Sequence, residues 1–491
     1  MQPPLTSRDE RGPTGFSRRL TLAAVCAATA MLMLDIAVVN TALAHIGRSL
    51  NAGLSGMQWV VDAYTLALAA AVLSAGSLND RFGRKRSLVV GLTLFTVASV
   101  GCAVAGNIVF LDAARAVQGV GGAVMFAASL AILADAFPEA GERAKAFAAY
   151  GATIGASFAL GPLVGGALTS GFGWRAIFYV NIPLGLACIA MTVAGVRESR
   201  DPHRRPLDWP GQILLTGGLF LLVLGLLRGN TDGWTSAPIL AELIGAGVLL
   251  VAFLVTQHLV RHPMLPLRLF RNPSFTGAQV AAFAISGSFF AVFLYTTLYL
   301  QVVKGLSPIE AGLVYVPPSI LLFVISGASA QLLRRVSLRT MIVVGLAFVS
   351  AGLVTCTLAD TDSSWAVMLP GITLASIGTG LFNPALSAVA LGHVEPHQSG
   401  LAAGVNDAFR NIGVAVGVAA LGALIPGHAV LGGAPREFVD GLHHALLVGA
   451  VLAAVGAVAS AVLIAPRMPA AEPVPGLEPV GGTPILAEAG A

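Results

Sequence analysis

Apolar residues in this chain run in long blocks separated by short polar breaks, with neither the two-residue alternation of a half-buried strand nor the narrow stripe of a surface helix. Fourteen blocks reach the length that crosses a bilayer, about 20 residues. They run approximately over 20–44, 57–76, 87–106, 108–136, 145–169, 174–196, 210–229, 238–258, 274–302, 309–330, 338–358, 365–390, 400–424 and 442–466. A block with no polar face must satisfy its backbone internally, so each reads as a helix in lipid. The first follows Arg18 and Arg19, and at about 25 residues it exceeds the 7–15 of a secretory signal core. It therefore counts as a span. Composition agrees: among 491 residues 56% are hydrophobic and 11% charged, against about 25% charged in soluble proteins. A soluble two-domain enzyme is excluded.

The placement of the charges carries more than their number. With the N-terminus on the cytoplasmic side, 21 of the 28 lysines and arginines fall on that side. Arg48, Arg175, Arg228, Lys304 and Arg436 face the other side, and Arg115 and Arg410 lie inside spans. This bias predicts both termini inside and accounts for the pI near 9.0 without nucleic acid. Cys26, Cys102, Cys188 and Cys356 sit in apolar runs without paired spacing, which argues against a disulfide framework or a zinc site.

Glycines recur across the two halves: Gly76 and Gly327, Gly122 and Gly380, Gly161 and Gly417, at offsets of 251, 258 and 256 residues. A duplicated six-helix unit follows, with helices 1–6 matching 9–14 and two helices inserted between. The expected division is a cytoplasmic tail over 1–19, a first bundle over 20–197, a linker with two extra helices over 198–271, a second bundle over 272–466 and a disordered cytoplasmic tail over 467–491.

The turn Gly76-Ser77-Leu78-Asn79-Asp80-Arg81-Phe82-Gly83-Arg84-Lys85-Arg86 closely resembles the signature loop of the major facilitator superfamily. Helix 1 carries Leu34-Asp35-Ile36-Ala37-Val38-Val39-Asn40-Thr41-Ala42-Leu43, helix 4 Arg115-Ala116-Val117-Gln118-Gly119-Val120-Gly121, and helix 5 Gly161-Pro162-Leu163-Val164-Gly165-Gly166. Together these resemble the fourteen-helix drug:proton antiporters of that superfamily. Similar stretches are Trp174-Arg175-Ala176-Ile177-Phe178, Asn181-Ile182-Pro183, Leu207-Asp208-Trp209 and Tyr299-Leu300-Gln301, so the likeness covers nearly all of 20–466. The chain departs from the family pattern at Ala37, Ala44 and Ser157. The resemblance implies an all-α polytopic fold of two six-helix bundles plus two inserted helices. It also implies a role for Arg115 in proton transfer, and a loop at 76–86 that latches the halves in the outward-facing state.

Ionisable groups at membrane depth cost at least about 2.5–3.5 kcal/mol on insertion scales, so each needs a partner, a cavity or a function. Asp35 lies past the middle of helix 1 with no neutralising neighbour in sequence. An acid out of water favours its neutral form, as a proton-coupling site requires. Arg115 reaches comparable depth in helix 4 and is placed to pair with Asp35 across a cavity; it cannot deprotonate, so it tunes the acid. Asp62 follows Trp59 and precedes Tyr64, a carboxylate among rings that suits a lipophilic cation, although an acid in a first helical turn is also favoured by the helix dipole. Asn40, Gln118 and Asp407 complete the candidate substrate contacts. Asp407 and Arg410, three apart, can also satisfy one another. Glu242 and Asp135 read as structural, and His45, His393, His397, His443 and His444 as helix-end residues at the interface. Gly76, Asp80, Arg81, Gly83, Arg84, Lys85 and Arg86 form the candidate gating loop, and Gly161, Pro162, Gly165 and Gly166 the points at which helix 5 bends and thins.

An ATP-driven pump is excluded, because a P-loop needs Gly-Lys-[Ser/Thr] and Lys85, Lys145 and Lys304 follow Arg, Ala and Val. No metalloprotease or nucleophile-elbow motif occurs, so no enzyme is expected. The expectation is a monomeric, multi-pass cell-membrane exporter of amphipathic compounds, cationic ones among them, driven by protons, with lipid, substrate and protons as partners and no cofactor or metal. The alternative is a facilitator or transporter of an endogenous metabolite, a self-made antibiotic included, on the same fold.

Overall fold

The computed structural model describes residues 15–200, 206–332, 335–392, 399–431 and 433–466. The expected disordered tail at 467–491, most of the tail at 1–19, and His393 and His397 lie outside the described residues. The described chain is helical almost throughout: α1 Gly15–Leu50, α2 Leu54–Phe82, α3 Arg84–Ala103, α4 Ile108–Ala136, α5 Ala140–Phe172, α6 Ala176–Gly195, α7 Trp209–Asp232, α8 Ala237–Leu259, α9 Pro273–Val303, α10 Pro308–Leu332, α11 Leu338–Cys356, α12 Met368–Gly392, α13 Ser399–Gly422 and α14 Pro435–Leu463. Thirteen of these are long and apolar enough to cross a membrane. The other is α13, which carries Asn406, Asp407, Arg410 and Asn411.

Helix contacts in the first six repeat in the last six. α1 packs on α5 and α6, α2 and α3 on α4, and α3 on α6; likewise α9 packs on α13 and α14, α10 and α11 on α12, and α11 on α14. Small residues permit the close crossings. A Cβ at Gly91 of α3 would press on the Gly121 carbonyl of α4, and one at Gly345 of α11 on the Gly378 carbonyl of α12. The two sets meet along α2 with α13 and α5 with α10, pairs that exchange when the halves are exchanged. Widened turns at Ser286–Phe290 and Tyr299–Val303 interrupt α9, and Gly287 in the first lies against Gly413 and Gly417 of α13.

The extra pair, α7 and α8, pack on one another, and α7 also touches α2 and α13. Asp208 caps α7 by accepting from Gly211 N at 2.9 Å, and its other oxygen accepts from Gln257 Nε2 at 2.6 Å. This buried node joins the start of α7 to the end of α8. Arg228 Nη1 meets Glu242 Oε1 at 2.5 Å, which places that acid in a pair inside the hairpin.

Candidate functional site: a cavity and a sealed polar node

A cavity of about 1540 Å³ lies between the two sets of helices. Leu32, Ile36, Phe126 and Phe147 line it from one set, and Phe290, Asn383, Asp407 and Arg410 from the other. It extends to the end of the molecule that carries Arg84, Arg143, Arg261, Arg268 and Arg271, called here the basic end. At the opposite end the two sets touch. Gln301 Nε2 donates to the Thr41 carbonyl at 2.8 Å, Ile309 N to Ser170 Oγ at 3.1 Å and Gln58 Nε2 to Tyr295 Oη at 2.8 Å. Glycines make this approach possible: a Cβ at Gly166 would meet the Pro308 carbonyl and Ile309, and one at Gly312 the Pro162 carbonyl.

Asp35 and Arg115 are brought together, but inside one set of helices and not across the cavity. Each is 1% exposed. Arg115 Nη1 donates to Asp35 Oδ2 at 2.5 Å and to Gln118 Oε1 at 2.8 Å, and Arg115 Nε donates to the Val60 carbonyl at 3.0 Å. Asp35 Oδ1 accepts from Gln118 Nε2 at 2.9 Å and from Asn181 Nδ2 at 2.8 Å. Ser99 Oγ accepts from Asn181 and donates to the Phe178 carbonyl, both at 3.0 Å. The guanidinium lies 4.2 Å from the centroid of the Tyr64 ring. Residues of five helices thus meet in one node, two of those helices bonding the carboxylate directly through Arg115, Gln118 and Asn181. A buried charge pair is tolerated only when its remaining lone pairs and protons are also satisfied, and the amides supply that.

The other candidate substrate contacts are distributed differently from expectation. Asp62, Trp59, Tyr64, Asn40 and Gln118 do not line the cavity; Asp407 does. Residues 59, 62 and 64 project from different sides of a 3.6-residue helix. Trp59 lies against Phe220 of α7, ring centroids 5.6 Å apart, while the Tyr64 ring faces Arg115. Asp62 is fully buried, and neither of its carboxylate oxygens has a hydrogen-bond partner. Asn40 Nδ2 donates to its own helix at Ile36 O, 3.1 Å. Asp407 and Arg410 do not satisfy one another: Asp407 Oδ2 accepts from Asn411 Nδ2 at 3.1 Å, and Arg410 Nη1 donates to Asn383 Oδ1 at 3.3 Å. Two side chains three apart are neighbours, yet each here finds an amide in better line.

At the basic end, the loop between α2 and α3 turns at Gly83, whose φ of 105° is open to glycine and strained for other residues. Arg84 Nη2 lies 3.5 Å from Asp80 Oδ1 and its Nη1 lies 3.7 Å from Asp135 Oδ1. Glu198, beyond α6, accepts from the backbone N–H of Lys85 at 3.2 Å and of Arg86 at 3.3 Å. Lys85 Nζ donates to the Val193 carbonyl at 2.7 Å. Arg81 lies over the neighbouring Phe82 ring. These contacts hold Arg84, Lys85 and Arg86 to the first six helices and the chain just after them. Gly76 has open space around it, whereas Gly161 faces Ala37 and Gly165 faces Val38 and Thr41 of α1; with Pro162 they form the tight crossing of α5. His45 is half-buried and His443 contacts the Ala359 carbonyl at 2.7 Å, so neither is simply solvated.

Sequence reasoning did not single out Ser99, Asn181, Glu198, Gln58 or Tyr295 as site residues. Asn181 was within reach of it, because a carboxamide in an apolar span needs a partner just as an acid does.

The profile of the Major Facilitator Superfamily matches residues 25–418 and 332–487. The chain belongs to the major facilitator superfamily. Among curated members of the superfamily, it is 36% identical over 406 residues to the multidrug resistance protein Stp of Mycobacterium tuberculosis, covering 83% of this chain and 75% of that one. It is 32% identical over 453 residues to the drug efflux pump JefA of the same organism, covering 91% and 89%. It is 33% identical over 395 residues to the methylenomycin A resistance protein of Streptomyces coelicolor, covering 80% and 83%. Among solved structures of the fold, it superposes on the human organic anion transporter TETRAN with a TM-score of 0.60 at 15% identity, covering 90% of this chain and 99% of that one. A bacterial homologue of the lysosomal transporter Spinster, inward-facing and unoccupied, gives 0.62 at 16% identity, covering 92% and 97%. As a major facilitator protein the chain is a multi-pass cell-membrane transporter and not an enzyme.

Proposed function

We propose that this protein exports amphipathic, partly cationic compounds in exchange for protons, by alternating access between two six-helix bundles, 20–197 and 272–466, with 198–271 as an inserted pair. The basic end is read as cytoplasmic, with fourteen crossings and both termini inside, on the positive-inside bias. The conformation is then inward-open: the cavity reaches the cytoplasm and the outer end is closed.

The observation that carries the reading is the separation of Asp35 from the cavity that Leu32 and Ile36 of the same helix line. A carboxylate sealed in a node of guanidinium and amides is poorly placed to bind a drug. It is well placed to exchange a proton for its bond to Arg115 when the bundles move. Protonation of Asp35 removes the anionic acceptor of Arg115, which would turn to Gln118 and the Val60 carbonyl, both already within reach. Asp407 and Arg410, in the cavity wall, supply the polar contacts for substrate.

The names of several relatives, among them drug efflux and antibiotic resistance proteins, support drug export. A relative named as a probable actinorhodin transporter, 35% identical over 445 residues, supports a second reading in which the cargo is a self-made antibiotic. Both readings share one test. In everted vesicles, a proton gradient should drive cargo uptake by the wild type and none by Asp35→Asn at equal protein. Undiminished gradient-driven uptake by the variant would sink proton coupling through Asp35.

A further inference from the structure

The inserted helix α7 is tied to both bundles, and the ties differ in kind. To α2 it is bound over its first half, by Gln212 and Phe220. Gln212 Nε2 donates to the Ala70 carbonyl at 3.0 Å, Ser74 Oγ donates to Gln212 Oε1 at 2.5 Å, and Phe220 stacks with Trp59. Toward α13 its one hydrogen bond among the described residues is at the outer end, where Asn230 Nδ2 donates to the carbonyl of Ala423, just past the last turn of that helix. The Asn230 amide is oriented for this by Trp234, whose indole N–H donates to Asn230 Oδ1 at 2.9 Å. Trp234 in turn lies flat on Gly229, where a Cβ would strike its ring.

The receiving site on α13 is also where the first bundle closes on the second. Gln58 of α2 donates to Tyr295 Oη and, at 3.3 Å, to the Val418 carbonyl; Tyr295 Oη donates to the same carbonyl. A Cβ at Gly422 would overlap both Gln58 Nε2 and Tyr295 Oη. Val418, Gly422 and Ala423 thus form one turn of backbone that receives Gln58 from α2 and Asn230 from the inserted helix.

We propose that α7 is a bolt of the outer gate: it travels with α2, and its Asn230 locks onto the Ala423 carbonyl only while the outer end is closed. The bolt holds the inward-open state. When α2 and α13 part at the outer end, Gln58 and Asn230 leave together, whereas the Gln212 and Phe220 contacts remain intact. This rests on the alternating-access reading above, but on neither the cargo nor proton coupling.

Spin labels at Gly53→Cys and Leu424→Cys, in the full chain with its four native cysteines replaced, report the outer separation of α2 and α13. Gly53 has open space around it, and Leu424 is 38% exposed. In detergent without drug, the parent should show mainly the short distance. Asn230→Leu should raise the ratio of long to short populations roughly fivefold, the scale of one net hydrogen bond. Asn230→Asp, which places an acceptor against the carbonyl, should do at least as much. Trp234→Phe, which frees the amide to rotate, should move the ratio in the same direction but less. Gln58→Leu serves as the gate control. If Gln58→Leu lengthens the distance and both Asn230 variants leave it unchanged, α7 is a passenger and the proposal falls. No change with any variant would equally overturn it.

Discussion

Arg115 Nη1 lies 2.5 Å from Asp35 Oδ2 with both residues 1% exposed, although the cavity begins at Leu32 and Ile36 of the same helix. Under the proposed mechanism, the charge that exchanges a proton is thus held apart from the cavity that would take the cargo.

Removing one partner of such a pair costs more than removing both, because it leaves an uncompensated buried charge. Arg115→Met and Asp35→Asn should each lower thermal stability, by a scale of about 3–5 kcal/mol for the uncompensated ion. The double variant should lie closer to wild type than the sum of the two, the mark of coupled neighbours. Melting of the purified protein in one detergent checks this, and additive losses would refute the pairing. Arg115→Lys should not restore gradient-driven transport, since one ammonium cannot reproduce the planar donors that reach Asp35, Gln118 and Val60 together.

Asp407 lines the cavity whereas Asp62 is sealed, so charge selectivity should follow the former. Asp407→Asn is expected to weaken transport of monovalent cationic compounds roughly tenfold, the ratio that about 1.4 kcal/mol of lost attraction produces, and to spare neutral ones. Asp62→Asn should change both classes equally. A drug-susceptibility panel in a pump-deficient host separates the outcomes.

Gly166 and Gly312 let α5 and α10 close at the end opposite the basic one, the outer end of the proposed orientation. Gly166→Val places two methyls and a Cβ against Pro308 and Ile309, and overpacking of this kind costs about 1–3 kcal/mol. Because the strain exists only while that end is shut, the variant should remain folded and label readily at an outer cysteine. Labelling equal to the parent would contradict this.

Glu198 caps the start of α3 and lies beside Gly83. Glu198→Gln should cost about 0.5–1 kcal/mol, the scale of an acid at a helix N-terminus. Gly83→Ala should cost more, through its positive φ and the crowded carboxylate. Melting temperatures that rank these two in reverse would show that the cap does not hold the loop.

Much of the architecture was written in the order of residues. The apolar blocks match the helices nearly one for one, because a segment in lipid has few ways to satisfy its own backbone. The recurring offsets near 255 anticipated the repeat now seen in the paired crossings Gly91 with Gly121 and Gly345 with Gly378. Asp35 and Arg115 were legible as costly charges of similar depth. Their enclosure was not, since depth in a helix says nothing about which side faces a cavity. The expected cage for Asp62 failed for a related reason: Trp59 and Tyr64 are near it in sequence but turn to other helices.

The sequence alone therefore determined which segments are apolar enough for lipid, which end carries the positive charge and which ionisable groups a bilayer would penalise, since each depends on local composition and on the free energy of transfer from water. Only the tertiary structure decided partnership: that Asn181 and Gln118 complete the shell of Asp35, that Glu198 caps the loop after α2, that Asp407 and Arg410 part, and that Asn230 meets Ala423. These contacts join residues tens to hundreds of positions apart. They are set by the angle at which helices cross, which is a property of the packed bundle and of no single segment.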